Sequence, residues 1–154
     1  MTLRWVFALS AVSATLAATP AFASAVDQSP RLAYDSMVRR LERIFETRTQ
    51  NEIALQSLYT ADAVLVEADG NTIVGRSLIV RDFRSILASG AVLRFKVRTT
   101  TFRTDGRLSY AGGIEEIDER DSVTVHHIRH RFLEVIERGP DGIWRLSYIL
   151  EAAA

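Results

Sequence analysis

The sequence predicts an α+β domain: three N-terminal helices packed in a curved antiparallel β-sheet, forming a cone with an internal pocket. Three observations predict it. Over residues 31–88 apolar side chains recur mainly at three- and four-residue steps, the period of helices that bury one face. From Ala91 onward the period changes to two, the mark of strands with one wet face. Inside one of those strands stands Gly112-Gly113, and paired glycines let a strand bulge or bend sharply.

Composition sets the outer limits. The chain has 154 residues, 47% hydrophobic and 25% charged, enough for one domain with a sizeable core. Lys+Arg and Asp+Glu both number 19, so no net field draws the chain to nucleic acid or to an acidic surface. No cysteine occurs, which excludes disulfides, thiolate catalysis and cysteine metal sites. Residues 1–5 carry one charge, Arg4, and residues 6–18 form an apolar run. Pro20 and then Ala21-Phe22-Ala23 follow, with small residues where a signal peptidase reads. The run is short for a membrane span. Residues 1–23 therefore read as a signal peptide, 24–30 as a mobile leader and 31–151 as the folded domain, with a periplasmic or secreted location and no membrane contact after cleavage.

Ser29-Pro30 reads as N-cap and first helical position, where proline's missing N–H costs nothing. Tyr34, Met37, Val38, Leu41, Ile44 and Phe45 then make one apolar stripe, giving a first helix over about residues 31–47. Asn51 caps a short second helix with Ile53, Leu55 and Leu58 facing inward. Residues 63–67 are a short strand, Asp69-Gly70-Asn71 a turn and residues 72–74 a returning strand. A third helix over residues 76–88 carries Leu78, Ile79, Phe83, Ile86 and Leu87, with Gly90 at its C-terminus. Leu93, Phe95 and Val97 alternate with Arg94, Lys96 and Arg98 in the next strand, and Asp105-Gly106 is a hairpin turn. Residues 108–117 and 123–137 are strands separated by a charged turn. Gly139-Pro140-Asp141-Gly142 is a further turn, and residues 143–150 close the chain.

The order of elements, with Leu58-Tyr59-Thr60-Ala61-Asp62-Ala63, Asp69-Gly70 up to Gly75, Leu108-Ser109-Tyr110-Ala111-Gly112 and Asp141-Gly142-Ile143-Trp144-Arg145-Leu146, resembles the nuclear-transport-factor-2-like superfamily. That group includes ketosteroid isomerases, polyketide cyclases of the SnoaL type and scytalone dehydratase. The resemblance spans about residues 31–150 and implies a cystatin-like cone that commonly pairs as a homodimer. It is silent on function, because the scaffold hosts enzymes, binding modules and assembly domains alike.

Glu67 is the sharpest candidate for chemistry. It shares a strand face with Leu65, and a carboxylate held on an apolar face works as a base near neutrality. It also follows Asp62 by five residues, the spacing at which the resemblance implies a catalytic carboxylate. The helix-one tyrosine of those isomerases has no match, since Arg39, Arg40 and Arg43 occupy that region and Tyr34 comes earlier. All three histidines, His126, His127 and His130, lie on one strand, where parity groups His126, Ile128, His130, Phe132, Glu134 and Ile136 on one face and Arg131 on the other. His126 and His130 stand roughly 13 Å apart on a strand, too far to share a zinc ion. His130 is the candidate acid or base beside Glu67. Trp144, Leu146, Tyr148 and Leu150 share a face, expected to be the inner one. Tyr110, Arg131, Trp144 and Tyr148 are the candidate ligand-binding residues, with core packing as the alternative for the aromatics. No cofactor and no metal ligand set is expected. Three functions remain open: a module binding a small, mostly apolar molecule, a cofactor-independent isomerase, dehydratase or cyclase with Glu67 as base, or a dimeric assembly domain with a filled pocket.

Overall fold

The computed structural model describes residues 29–154, so residues 1–23, expected to be a signal peptide, and residues 24–28 of the expected leader lie outside the described residues. Helix α1, Pro30–Thr47, buries Ala33, Tyr34, Met37, Leu41, Ile44 and Phe45 along the stripe that the periodicity predicts. Ser29 sits at its N-cap position, but the hydroxyl makes no capping bond. Helix α2, Glu52–Gln56, is capped as expected: Asn51 Oδ1 accepts from the Ala54 N–H at 3.1 Å. Leu55 and Leu58 are fully buried, but Ile53 is 81% exposed, because a helix of five residues has room for one inward position. Helix α3, Arg76–Ser89, ends at Gly90, whose φ of +67° is the left-handed conformation a helix C-terminus wants. It buries Ile79, Val80 and Leu87 and leaves Leu78 exposed, a narrower stripe than its apolar content suggests. No helix among the described residues is long and apolar enough to cross a membrane.

Strands β1 (Tyr59–Val66), β2 (Thr72–Val74), β3 (Val92–Asp105), β4 (Leu108–Arg120), β5 (Val125–Arg138) and β6 (Trp144–Ala153) form one curved sheet in the order β2-β1-β6-β5-β4-β3. Every pairing is antiparallel except β1 with β6, which run parallel. The helices cover one face. There Phe45 stacks on Phe95 with centroids 4.6 Å apart and meets Phe83 edge-on at 5.9 Å. Strands β4 and β5 continue to Arg120 and from Val125, so the charged turn is shorter than residues 118–122 suggest.

The sheet has four register irregularities, one of them between Tyr59 and Val64 where β1 meets β6, and the other three shape its faces. Thr99 pairs with Gly113 and Thr101 with Gly112, which leaves Thr100 as an extra residue opposite the glycine pair. The irregularity thus lies on β3, while the glycines serve a close approach: a Cβ on Gly113 would strike the Arg98 carbonyl and stand 2.8 Å from the Phe132 ring. A second bulge, at Leu93, turns Val92 rather than Leu93 toward the helices. The third matters most. Val135 pairs with Tyr148 and Ile136 with Leu146, so Ser147 is unpaired. The alternation of β6 reverses there: Trp144 and Leu146 are buried, then Ile149 at 5% exposure, while Tyr148 and Leu150 turn to the open face.

Candidate functional site

The helices and the sheet enclose a cavity of about 290 Å³. Leu41 and Phe45 from α1 and Phe83 and Ile86 from α3 line its helical side. Val92, Phe95, Ile117, Ile128 and Ile149 line the sheet side. Into this apolar chamber the sheet directs a group of polar side chains: Glu115 from β4, His130 and Glu134 from β5, and Glu151 from β6. Glu67, just beyond β1, and Asp82 of α3 add two partly exposed carboxylates, and Glu119 a third.

Register puts them there. Glu115 pairs with His130, which pairs in turn with Ala153 of β6, so the three strands bring their side chains side by side. Donor atoms of Glu115, His130 and Glu151 all lie within 4.8 Å of one another. His130 Nδ1 stands 3.5 Å from Glu151 Oε2, an ion-pair distance without hydrogen-bond alignment, and that nitrogen is buried with no partner. The Glu115 side chain is likewise deep, at 4% exposure. Deeper along β5, Tyr34 Oη donates to Glu134 Oε2 at 2.5 Å. Tyr34 comes from the first turns of α1, so the helix does send a tyrosine to the carboxyl group, from an earlier position than the resemblance implies.

Electrostatics follow from this crowding. Two ionised carboxylates 4.8 Å apart repel by roughly 3 kcal/mol at an effective dielectric of 20, and burial adds to the cost of each charge. Burial pushes Glu134 up to about 7, against the opposing hydrogen bond from Tyr34. Burial, with the charges of Glu67 and Glu134, pushes Glu151 up to about 7 as well. Burial, then the charges of Glu151 and Glu134, raises Glu115 well above the usual carboxyl range. Burial, then Glu134, raises the Tyr34 phenol far out of the titrating range, which keeps it a donor. Asp82 is raised by burial and by Glu67.

The residues singled out from sequence divide between two faces. Glu67 and His130 both line the cavity. Glu67 also accepts from Asn71 Nδ2 at 2.6 Å, so the turn after β1 holds its carboxylate. Tyr110, Arg131 and Tyr148 lie on the open face of the sheet, away from the cavity lining; for Tyr148 the cause is the Ser147 bulge. Trp144 is buried on the helix-bearing face but outside the lining, its indole N–H without a partner. His126 and His127 are exposed and bond to Asp121 and Asp118, each at 2.8 Å. The sequence pattern does not single out Glu115, Glu134 or Glu151 as site residues. Glu134 shares parity with His130 and Ile136, and Glu115 with Ala111 and Ile117; an acid among apolar positions of one parity was the available signal. Among the described residues, Glu115, His130 and Glu151 are the grouping whose donor atoms could share a cation.

No family model matches the chain. No curated protein matches it either. Solved structures do. A domain of unknown function with a cystatin-like fold from Nostoc punctiforme superposes with a TM-score of 0.69 at 13% identity, covering 81% of this chain and 77% of that one. The chain has the cystatin-like fold of the nuclear-transport-factor-2-like proteins. A ketosteroid isomerase-like protein from Erwinia carotovora atroseptica gives 0.64 at 14% identity, over 80% of this chain and 92% of that one. A putative dehydratase of the same fold family from Streptomyces avermitilis gives 0.63 at 15% identity, over 82% and 99%.

Proposed function

We propose that this chain is an exported domain whose cone binds a small, mostly apolar molecule by its hydrocarbon body and by one polar group set against the sheet carboxyls. The observation that carries the reading is the contrast within one cavity: apolar walls from two helices and five strands, interrupted by Glu115, His130, Glu134 and Glu151. A volume of about 290 Å³ lies at the lower end of small-molecule pockets. Titrating isoleucine-methyl-labelled protein with toluene, indole and benzyl alcohol tests it. Saturable shifts at Ile86, Ile117, Ile128 and Ile149 are expected, and no saturable shift with any of the three overturns the reading. Export is supported by the sequence of residues 1–23, and intact mass of protein secreted from a bacterial host should show cleavage after Ala23.

A second reading is a cofactor-independent isomerase or dehydratase. The pair Tyr34–Glu134 favours it. A carboxyl kept protonated near neutrality donates a hydrogen bond to a developing oxyanion, while Glu67 across the cavity accepts a proton from carbon. The ketosteroid isomerase-like and dehydratase neighbours lend support at the level of fold. Under this reading Glu67→Gln abolishes turnover. Under the binding reading it only retunes affinity.

A further inference from the structure

We infer that the molecule held in this cavity is a cationic amine: an apolar body carrying a primary ammonium group, seated between Glu115, Glu151 and His130. The inference rests on the reading of the cavity as a ligand site and adds the charge of the ligand. Its first support is a charge count. Six acidic side chains line the cavity, Glu67, Asp82, Glu115, Glu119, Glu134 and Glu151, and no lysine or arginine does among the described residues. Of the cationic side chains on neighbouring elements, Lys96 pairs with Glu42, Arg84 with Glu52, and Arg94 with Glu116 and Asp118, while Arg81 acts on the rim carboxylate Asp82. His130 is the one lining residue able to carry positive charge.

The second support is unmet hydrogen-bonding capacity. Glu115 is 4% exposed and turned into the cavity, and none of the hydrogen bonds or ion pairs of the described residues involves its carboxyl. His130 Nδ1 is buried and unbonded, and accepts a hydrogen bond in the tautomer protonated on Nε2. An arriving cation favours ionisation of both carboxyl groups, and the two carboxylates and one imidazole then offer three acceptors to a group with three N–H donors.

The third is spacing. Around an ammonium nitrogen with donor–acceptor distances of ~2.9 Å, tetrahedral geometry puts the acceptors about 4.7 Å apart. The donor atoms of Glu115, His130 and Glu151 lie no more than 4.8 Å apart, and His130 Nδ1 and Glu151 Oε2, at 3.5 Å, would part by about 1 Å to admit the group. A zinc ion with ligand distances of ~2.0–2.1 Å would set its ligands about 3.4 Å apart, which the His130–Glu151 pair meets at 3.5 Å, but it would leave the apolar part of the cavity unfilled.

The test compares isosteres on the full exported chain. Benzylamine, benzyl alcohol, phenylacetate and zinc chloride are each titrated by isoleucine-methyl NMR and calorimetry. Benzylamine is expected to bind at least tenfold more tightly than benzyl alcohol, and phenylacetate not at all. Glu115→Gln and Glu151→Gln, each checked for native circular dichroism, should remove most of that preference, weakening benzylamine far more than benzyl alcohol; two single variants guard against one failing to fold. Benzyl alcohol binding as tightly as benzylamine overturns the inference and leaves the cavity reading standing. Saturable zinc binding without an amine preference overturns it in favour of a metal site. Binding of none of the aromatic probes removes both readings together.

Discussion

Tyr34 and Glu134 show how much one buried pair governs here. The phenol is held neutral by its surroundings and donates to the carboxyl at 2.5 Å, and its bond partly offsets the burial that raises Glu134. Tyr34→Phe should therefore destabilise the fold by roughly 1–3 kcal/mol, the cost of an unmade buried bond. The loss should be larger at pH 8 than at pH 5, because the ionised carboxylate loses the donor that favours its charge. Urea unfolding at the two pH values measures this, and equal losses would mean that the bond does not discriminate between charge states. Sequence made part of this legible. The parity of β5 grouped Glu134 with His130 and Ile136 on one face, but both faces were mixed, so nothing local said which was inner. That choice was fixed only when α1 packed on the sheet and Tyr34 met Glu134, a hundred residues away along the chain.

At the scale of elements, periodicity carried as far as each strand stayed regular. Helices α1 and α3, the Asn51 cap, the Gly90 terminus and the strand order of the second half follow from local pattern and turn chemistry. Alternation failed where bulges intervene. One unpaired residue, Ser147, sends Tyr148 and Leu150 outward and brings Ile149 and Glu151 inward, because inserting one residue exchanges the two faces of everything beyond it. A bulge leaves no composition signal at Ser147, so Glu151 was hidden from a reading by parity. Gly113 is the opposite case, a bend signal whose physical cause is contact. A methyl there meets backbone oxygen on one side and the Phe132 ring on the other. Gly113→Ala should cost about 1–3 kcal/mol or more by overpacking. Gly70→Ala is a different kind of control: it adds a methyl that meets nothing within 4 Å but strains a φ of +89°. If Gly113→Ala unfolds at the wild-type urea midpoint, the close approach of β3, β4 and Phe132 is not a constraint.

The whole molecule presents two faces with different chemistry. On the open face, Tyr110, Val135, Tyr148, Val64 and Val74 form one cross-strand row, and Leu133, Leu150 and Val66 another. Tyr110, Leu133, Tyr148 and Leu150 are each 38–44% exposed, which makes a broad apolar patch on one side of the sheet. We propose that two copies pair through it, burying at least about 1,200 Å². Light scattering should report a dimer at micromolar concentration and a monomer for Tyr148→Asp, whereas a wild-type monomer would assign the patch some other role. On the helix-bearing face a cavity holds carboxyls crowded away from water, and that crowding has a signature in stability. Glu134 titrates near 4.5 when unfolded and about 7 when folded, so the unfolded chain releases its proton first as pH rises. The stabilising difference is whole below pH 4.5 and is lost by pH 7, amounting to roughly 3 kcal/mol from this carboxyl alone. Glu151 acts with the same sign over the same window. Asp141, held down to about 2 by the Arg145 guanidinium, acts below pH 4 and with the opposite sign, so it does not obscure the window. The measurement is the unfolding free energy between pH 4.5 and 7.5, in wild type and in Glu134→Gln. Wild-type stability should fall across this range, with a visibly shallower slope in the variant. Stability that stays flat or rises through the window, with the variant parallel to wild type, would contradict a cavity lined by buried carboxyls.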